Sequence, residues 1–225
     1  MIAKEELNIL WSLEQTAEKY EDRVAVSDVN QELTWKGLVK KAQVIGAELS
    51  KKVQPGNPIP VLLEKSSETL AVMLGIVYAG CFYVPVNPMN PAERLRKIME
   101  KLEPEVIISD EKGKEQLAAV GVGLEEKVIG PEILLPTTGT DLSEEQRSRL
   151  EQIQGQWKET DALYGIFTSG STGTPKAIVV SHGAVSRFVR HFTEIFEITS
   201  EDVIGNQAPF DFDVSVKDIY SSIMT

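Results

Sequence analysis

The chain has 225 residues, of which 42% are hydrophobic, and it carries a formal net charge of −11 at pH 7. This composition is ordinary for a globular protein, and the length suits one large domain or two small ones. The acidic charge argues against non-specific nucleic-acid binding, which needs a basic surface. No apolar run reaches the roughly 20 residues that span a bilayer, so we expect neither a nucleic-acid partner nor a membrane partner.

The cellular compartment follows from the N-terminus and from cysteine usage. The first eleven residues, MIAKEELNILW, lack the long apolar core of a signal peptide. The single cysteine, Cys81, cannot form an internal disulfide, which fits a reducing compartment. The sequence therefore predicts a cytoplasmic protein with Cys81 as a buried structural thiol.

Strands and helices alternate along the first two thirds of the chain. Apolar spacing predicts helices over residues 5–20, after Thr34, after Ser66 or Ser67, from Pro91, over 112–120 and from Ser143, and strands over residues 23–27, 32–34, 59–63, 82–86, 106–108 and 127–129. Residues 130–140 are predicted to be irregular. Strands alternating with helices of this length indicate an α/β fold, a mostly parallel doubly wound sheet flanked by helices.

The last third begins with two short apolar runs, residues 163–167 and 177–180, which both predict buried strands. Ser181 then caps an amphipathic helix, and His182 in its first turn is interpreted as a packing or capping residue. A final helix is predicted from Val214 onward.

Between the two strands lies a polar loop whose composition suits phosphate. Glycines let the backbone N–H groups turn towards a ligand, hydroxyls add further donors, and a lysine supplies a point charge for phosphate oxygens. A solvated hairpin loop of the same composition is the alternative. The spacing is not that of the common P-loop, because serine stands where that motif needs lysine and the loop leads into a strand. The candidate phosphate-binding residues are Thr168, Ser169, Gly170, Ser171, Thr172, Gly173, Thr174, Pro175 and Lys176.

The longer string YGIFTSGSTGTPKAIVVSH resembles the signature loop of the adenylate-forming enzymes, which include acyl-CoA synthetases, luciferases and peptide-synthetase adenylation domains. The resemblance implies that the loop grips the β- and γ-phosphates of ATP, accompanied by Mg²⁺, while a carboxylate attacks the α-phosphate. Ala177 stands where the family usually has glycine. A second matching segment, residues 78–95, is interpreted as architectural, with Arg94 on a helix face and not on a ligand.

Asp213 has two interpretations. Its place at the start of the last helix suits an N-cap carboxylate. The pattern F-D-x-S at residues 212–215 also resembles amino-acid-activating members of the family, and this implies that Asp213 pairs with the substrate's α-ammonium. Acyl- and aryl-acid CoA ligases generally lack this aspartate, so a ligase of that kind is the less favoured alternative. Asp211 does not satisfy the pattern.

The segment NQAPFDFDVSVKDIY, residues 206–220, resembles D-alanine–carrier protein ligases over a longer stretch. That resemblance implies D-alanine as the substrate. It also implies a peptidyl or D-alanyl carrier protein as the partner, whose phosphopantetheine thiol receives the aminoacyl group.

The resemblance covers essentially the whole chain but only the front part of the family's architecture. It divides the chain into a first subdomain, about 1–160, and the beginning of a second, 161–225. The family's catalytic lysine belongs to a C-terminal domain with no counterpart here, so no catalytic residue and no metal-ligating residue is assigned, and this chain alone is expected to be inactive.

Two further expectations follow from this partial coverage. Apolar surface that other parts of the family's architecture would cover should be exposed, which favours self-association. A non-catalytic interaction module, or half of a split enzyme completed by another polypeptide, is the alternative from a different functional class.

Overall fold

The computed structural model describes residues 3, 5–121, 123–134, 141–168 and 175–225. The strands are β1 (Val24–Ser27), β2 (Glu32–Thr34), β3 (Pro58–Leu62), β4 (Phe82–Pro85), β5 (Ile107–Ser109), β6 (Val128–Ile129), β7 (Ala162–Thr168) and β8 (Lys176–Ser181). The α-helices are α1 (Ile9–Lys19), α2 (Trp35–Ser50), α3 (Ser67–Tyr78), α4 (Ala92–Leu102), α5 (Glu111–Val120), α6 (Pro131–Leu134), α7 (Glu144–Gln154), α8 (His182–Ile195) and α9 (Val214–Met224).

A six-stranded sheet organises these elements, in the order β6-β5-β3-β4-β7-β8. All neighbouring strands pair in parallel except β7 and β8, which form an antiparallel hairpin. The pair β1 and β2 forms a separate two-stranded antiparallel sheet. The predicted α/β class with a mostly parallel sheet is confirmed.

The side chains of each central strand alternate between two hydrophobic cores. On β4, Tyr83 packs into the core formed with α1, α2, α3, α8 and α9, whereas Val84 packs into the core formed with α4 and α5. The two cores therefore lie on opposite faces of the sheet. Because α3 follows β3 on one face and α4 follows the adjacent β4 on the other, the topological switch point lies between β3 and β4.

Four predicted helix starts are confirmed by side-chain caps. The Oγ atoms of Thr34, Ser66 and Ser181 each accept a backbone N–H from the first turn of α2, α3 and α8 respectively. Ser143 and Gln146 form a capping box at the predicted start of α7. Each cap supplies an acceptor for an N–H group that the helix itself leaves unpaired.

Several boundaries differ from the prediction. The helix predicted over residues 5–20 is divided at Asn8, whose side chain accepts the N–H of Leu10 at 2.9 Å and starts α1. Trp11 of this helix is 36% exposed, although the apolar spacing over residues 5–20 would place it on the inward face. Pro91 stands one residue before α4, and the single turn of α6 lies inside the stretch predicted to be irregular.

The largest correction concerns β8, which was predicted to be a buried strand like β7. β7 is buried along its centre, but Ile178 and Val179 of β8 are 51% and 53% exposed. β8 is the edge strand of the sheet, so described elements cover only one of its long sides. An apolar run predicts strand formation, but it carries no information about which neighbour covers the strand.

Candidate functional site

The candidate phosphate loop joins β7 to β8 at the carboxyl edge of the parallel strands. Thr168 and Lys176 are directly paired in the hairpin register and therefore mark the mouth of the loop. Both side chains are exposed. Of the other predicted phosphate-binding residues, Pro175 is buried, and residues 169–174 lie outside the described residues. Ligands of open α/β sheets bind at this edge, so the position of the loop fits the predicted role.

Arg94 contacts the strand that leads into this loop. Its Nη2 donates to the backbone carbonyl of Phe167 at 3.2 Å, one residue before Thr168. Arg94 was predicted to lie on a helix face, and it does lie on α4, but its guanidinium reaches the site. Sequence spacing could not find this contact, because 73 residues separate the two partners.

A cleft of about 230 Å³ opens between the carboxyl ends of β3 and β4. It therefore lies at the topological switch point, where ligand sites of this architecture are expected. Its floor includes Val61 and Val86, and residues 209–211 cross over it. Polar groups at its rim come from Lys65, Asn87 and Asp211.

Asp213, the predicted ammonium ligand, is exposed at the start of α9. It occupies the predicted N-cap position of α9, but its backbone is helical, with φ −58° and ψ −27°, and its side chain makes no capping hydrogen bond. Burial raises the pKa of Tyr164, and the negative charge of Asp213 raises it further. Asp213 thus lies close enough to β7 for its charge to act on that strand.

Asp211, which the F-D-x-S pattern passed over, lines the cleft, as does Glu64. Asp211 is half-buried, and burial raises the pKa of its carboxyl group, while the Asn87 side chain and the charge of Arg94 oppose that shift. The F-D-F-D repeat placed two aspartates two residues apart. Only the turn through Pro209 and Phe210 decides which of them faces the cleft.

The segment before these aspartates is held to the sheet by Lys65, in the loop between β3 and α3. Its Nζ donates to the carbonyl of Ala208 at 2.9 Å and also to the carbonyl of Asn206. Nothing in the sequence pattern singles out this lysine, which precedes the α3 cap by one residue.

The helix that follows the segment is anchored by buried tyrosines. Tyr220 of α9 and Tyr83 of β4 are fully buried, and their hydroxyl oxygens are 2.6 Å apart. The ring of Tyr83 stacks on that of Tyr164 with centroids 6.0 Å apart. A hydroxyl pair of this kind fixes α9 against the sheet, because each buried group needs the other as its partner.

A larger cavity, of about 570 Å³, lies at the opposite, amino-terminal edge of the strands. His182 lines it, is 3% exposed, and accepts the N–H of Ile9 through Nδ1 at 3.4 Å. Burial lowers the pKa of His182 to about 3, and the ring makes an edge contact with Trp157. The packing interpretation of His182 is confirmed.

Cys81 lines the same cavity and behaves as predicted. It is 2% exposed, and burial raises the pKa of its thiol to about 11, so it stays protonated and unreactive at neutral pH. The two buried titratable groups of this cavity are thus neutral, although Arg149, Lys158 and Asp161 also line it.

Two classes of site are not found among the described residues. Over those ranges, no group of three or more His, Cys, Asp and Glu side chains is arranged to hold a metal ion. No helix in the same ranges combines the length and the apolar character needed to cross a membrane.

Solved structures share this fold. FmoA3, a nonribosomal peptide synthetase solved with AMPPNP bound, superposes with a TM-score of 0.80 over 97% of this chain and 22% of that one, at 24% identity. VinN superposes with a TM-score of 0.81 over 97% of this chain and 54% of VinN, at 22% identity. At these identities the likeness shows a shared fold.

Sequence comparison shows the family. Tyrocidine synthase 1 of Brevibacillus parabrevis is 30% identical over 213 residues, which are 94% of this chain and 19% of that protein. The chain therefore spans about a fifth of that relative. The family that matches is described as AMP-binding enzyme. The match covers residues 13–225, which is nearly the whole chain. The chain belongs to the AMP-binding enzyme family.

Proposed function

We propose that the chain binds ATP and an amino acid for a ligase that forms an aminoacyl-adenylate. The observation that carries the proposal is the convergence of two elements at one edge of the sheet. The hairpin mouth at Thr168 and Lys176 lies at the carboxyl end of β7, and residues 209–211, which lead into Asp213, line the cleft at the carboxyl ends of β3 and β4. One element suits phosphates and the other suits an ammonium group.

In the proposed first step, a carboxylate oxygen of the amino acid attacks the α-phosphorus of ATP. A bond forms between that oxygen and phosphorus, the bond to the β-phosphate oxygen breaks, and pyrophosphate leaves. Lys176 and the backbone N–H groups of the loop would hold the β- and γ-phosphates, where negative charge develops on the leaving group. Mg²⁺ would neutralise part of the phosphate charge when bound.

The proposed role of Asp213 is to pair with the α-ammonium of the substrate. Its carboxylate has no capping bond to satisfy in the helix, which supports its use for a ligand. Once a substrate covers the site, the two opposite charges would be desolvated together, and each would need the other. A fatty or aryl acid carries no such cation, so this aspartate supports an amino-acid substrate.

The finer assignment is D-alanine, with transfer to the phosphopantetheine thiol of a carrier protein. Its support is the resemblance of residues 206–220 to D-alanine–carrier protein ligases. In that second step the thiol sulfur attacks the aminoacyl carbonyl, a thioester forms, and AMP leaves.

The division of the chain into two subdomains near residue 160 also remains a proposal. β7, which lies beyond that point, pairs with β4, which lies before it, so the two parts share one sheet.

A second candidate is an interaction module or a half-enzyme completed by another polypeptide. The observation in its favour is the exposed apolar surface of β8 and α8, where Ile178, Val179, Phe188 and Phe196 are all more than half exposed. Stable co-purification with a partner chain, together with a lack of ATP binding by the natural protein, would favour this candidate.

The test is amino-acid-dependent ATP–pyrophosphate exchange by the natural protein that carries this sequence. Asp213→Ala should raise the KM for D-alanine about tenfold or more while changing the KM for ATP by less than about twofold. Asp22→Ala, at an exposed acid away from the site, is the matched control. Equal effects of Asp213→Ala on both KM values would contradict the ammonium role. Exchange with aryl or fatty acids in place of amino acids would contradict the substrate class.

A further inference from the structure

Lys65 makes three contacts with one short stretch of chain. Its Nζ donates to the carbonyls of Asn206 and Ala208, the second at 2.9 Å, and lies 5.6 Å from the ring centroid of Phe210. A lysine ammonium has three N–H donors and no acceptor, so it can hold two carbonyls and still face an aromatic ring. The stretch that it grips, residues 206–210, leads directly into Asp211 and Asp213.

The loop that carries Lys65, between β3 and α3, is itself held in place. The lysine stands three residues after the last residue of β3, Leu62, and one residue before Ser66, the cap of α3. Within this loop the hydroxyl of Thr69 donates to the carbonyl of Glu64 at 2.6 Å. The backbone of Lys65 is thus tied to both the central sheet and a buried helix.

The gripped stretch is held from its other side by α9. The side-chain amide of Asn206 donates to Asp218 Oδ2 at 3.1 Å and to the carbonyl of Ser215 at 3.3 Å. Asp218 is 8% exposed and also pairs with Lys217. Its negative charge favours the protonated form of Lys65 and opposes burial, which lowers the pKa of that lysine.

We propose that Lys65 is a positioning residue that fixes residues 206–213 over the carboxyl edge of the sheet and thereby sets the place of the ammonium-binding carboxylate. The proposal rests on the proposed function for its substrate. Lys65 touches no reacting atom in this assignment. It acts through the backbone carbonyls that it binds, and its loss should weaken amino-acid binding without weakening ATP binding.

The experiment compares Lys65→Met and Lys65→Arg with the control Lys112→Met. Met keeps most of the aliphatic stem and removes the charge, whereas Arg keeps donors for the carbonyls. Lys112 is an exposed lysine on the neighbouring helix that pairs with Glu64 at 3.2 Å and does not contact residues 206–210. Two quantities are measured: hydrogen exchange of the Phe212 amide, which donates to Pro209 at 3.1 Å, and the two KM values in ATP–pyrophosphate exchange.

Lys65→Met should raise the KM for the amino acid about threefold to tenfold and speed exchange at Phe212 by a similar factor, because charge-assisted hydrogen bonds are lost at a partly exposed site. Lys65→Arg should restore most of both quantities, and Lys112→Met should change neither. A merely structural role would raise both KM values together or lower kcat alone.

Unchanged exchange at Phe212 in Lys65→Met would overturn the proposal, as would an equal rise in both KM values. Failure of the proposed function would give a different experimental result. A wild-type protein that activates no amino acid refutes the amino-acid assignment, while the exchange rate at Phe212 still decides whether Lys65 holds the segment.

Discussion

The amino and carboxyl edges of the six-stranded sheet each have a cavity, and the two cavities differ in volume and in the residues that line them. The amino edge has the larger cavity, about 570 Å³, lined by His182 and Cys81, whose pKa values burial shifts so that both stay neutral at pH 7. The carboxyl edge has a cleft of about 230 Å³, with Lys65 and Asp211 at its rim. Charged side chains line both cavities, among them Arg149, Lys158 and Asp161 at the amino edge. The position of the smaller cleft at a topological switch point therefore favours it as the site more than volume or charge does.

The comparison predicts a large functional loss at the carboxyl edge. Lys176→Met should lower the ATP-dependent exchange rate about 100-fold, because a positive charge near the leaving phosphates stabilises charge that develops in the transition state. Lys114→Met, at a partly buried lysine of α5 that pairs with Glu111 at 3.8 Å, serves as the control. The measurement is kcat in ATP–pyrophosphate exchange, and a loss below about threefold would remove Lys176 from the site.

The amino edge should respond in stability and not in ligand binding. The native pKa of His182 is about 3, against 6.5 for the free side chain. Between those pH values the unfolded chain binds a proton that the native state does not, so stability falls as the pH drops below 6.5. At pH 5, this effect of His182 should lower the free energy of unfolding by about 2 kcal/mol relative to neutral pH.

His182→Gln isolates this contribution, because an amide does not titrate. The difference in unfolding free energy between wild type and variant, measured by urea at pH 7 and pH 5, should shift in favour of the variant at pH 5. A difference independent of pH would contradict a buried neutral histidine. ATP affinity should be the same in both proteins.

An effect of similar size is expected at the tyrosine pair that joins the carboxyl-edge segment to the sheet. Tyr83→Phe leaves the buried hydroxyl of Tyr220 without its partner at 2.6 Å and should lower the unfolding free energy by about 1–3 kcal/mol. The double variant Tyr83→Phe/Tyr220→Phe should recover part of the loss. Urea denaturation measures both, and a double variant as unstable as the sum of the single ones would exclude a direct pair.

The smallest effect is expected at the exposed edge strand. Val179 is 53% exposed on β8, and exposed apolar edge strands favour association. Val179→Lys should lower the concentration dependence of light scattering with a change in unfolding free energy within about 0.5 kcal/mol. A wild-type chain that scatters as a monomer at all concentrations would contradict self-association.

Much of the fold could be predicted because local chemistry determines it. The caps at Thr34 and Ser66 and the apolar periodicity of α3 depend on residues a few positions apart, and the structure confirms them. The exposure of β8 was not predictable, because it depends on the absence of a neighbour in the described fold. The division at Asn8 reflects a cap that competes with helical spacing.

For the site, the sequence identified the loop and the aspartate-rich segment but not the contacts between them. Arg94 and Lys65 contact carbonyls 73 and more than 140 positions away, and a backbone acceptor leaves no trace in the sequence. Asp211 was passed over because the F-D-x-S pattern selects Asp213. Which carboxylate faces the cleft depends on a turn that only the folded chain displays.

The most direct measurement is amide hydrogen exchange of the chain with and without saturating ATP. The account predicts slower exchange at the carboxyl edge, in residues 63–65, 86–89 and 175–176, with no change at the amino edge in residues 54–57, 80–82 and 157–161. Protection confined to the amino edge would place the nucleotide in the larger cavity and contradict the assignment of the site.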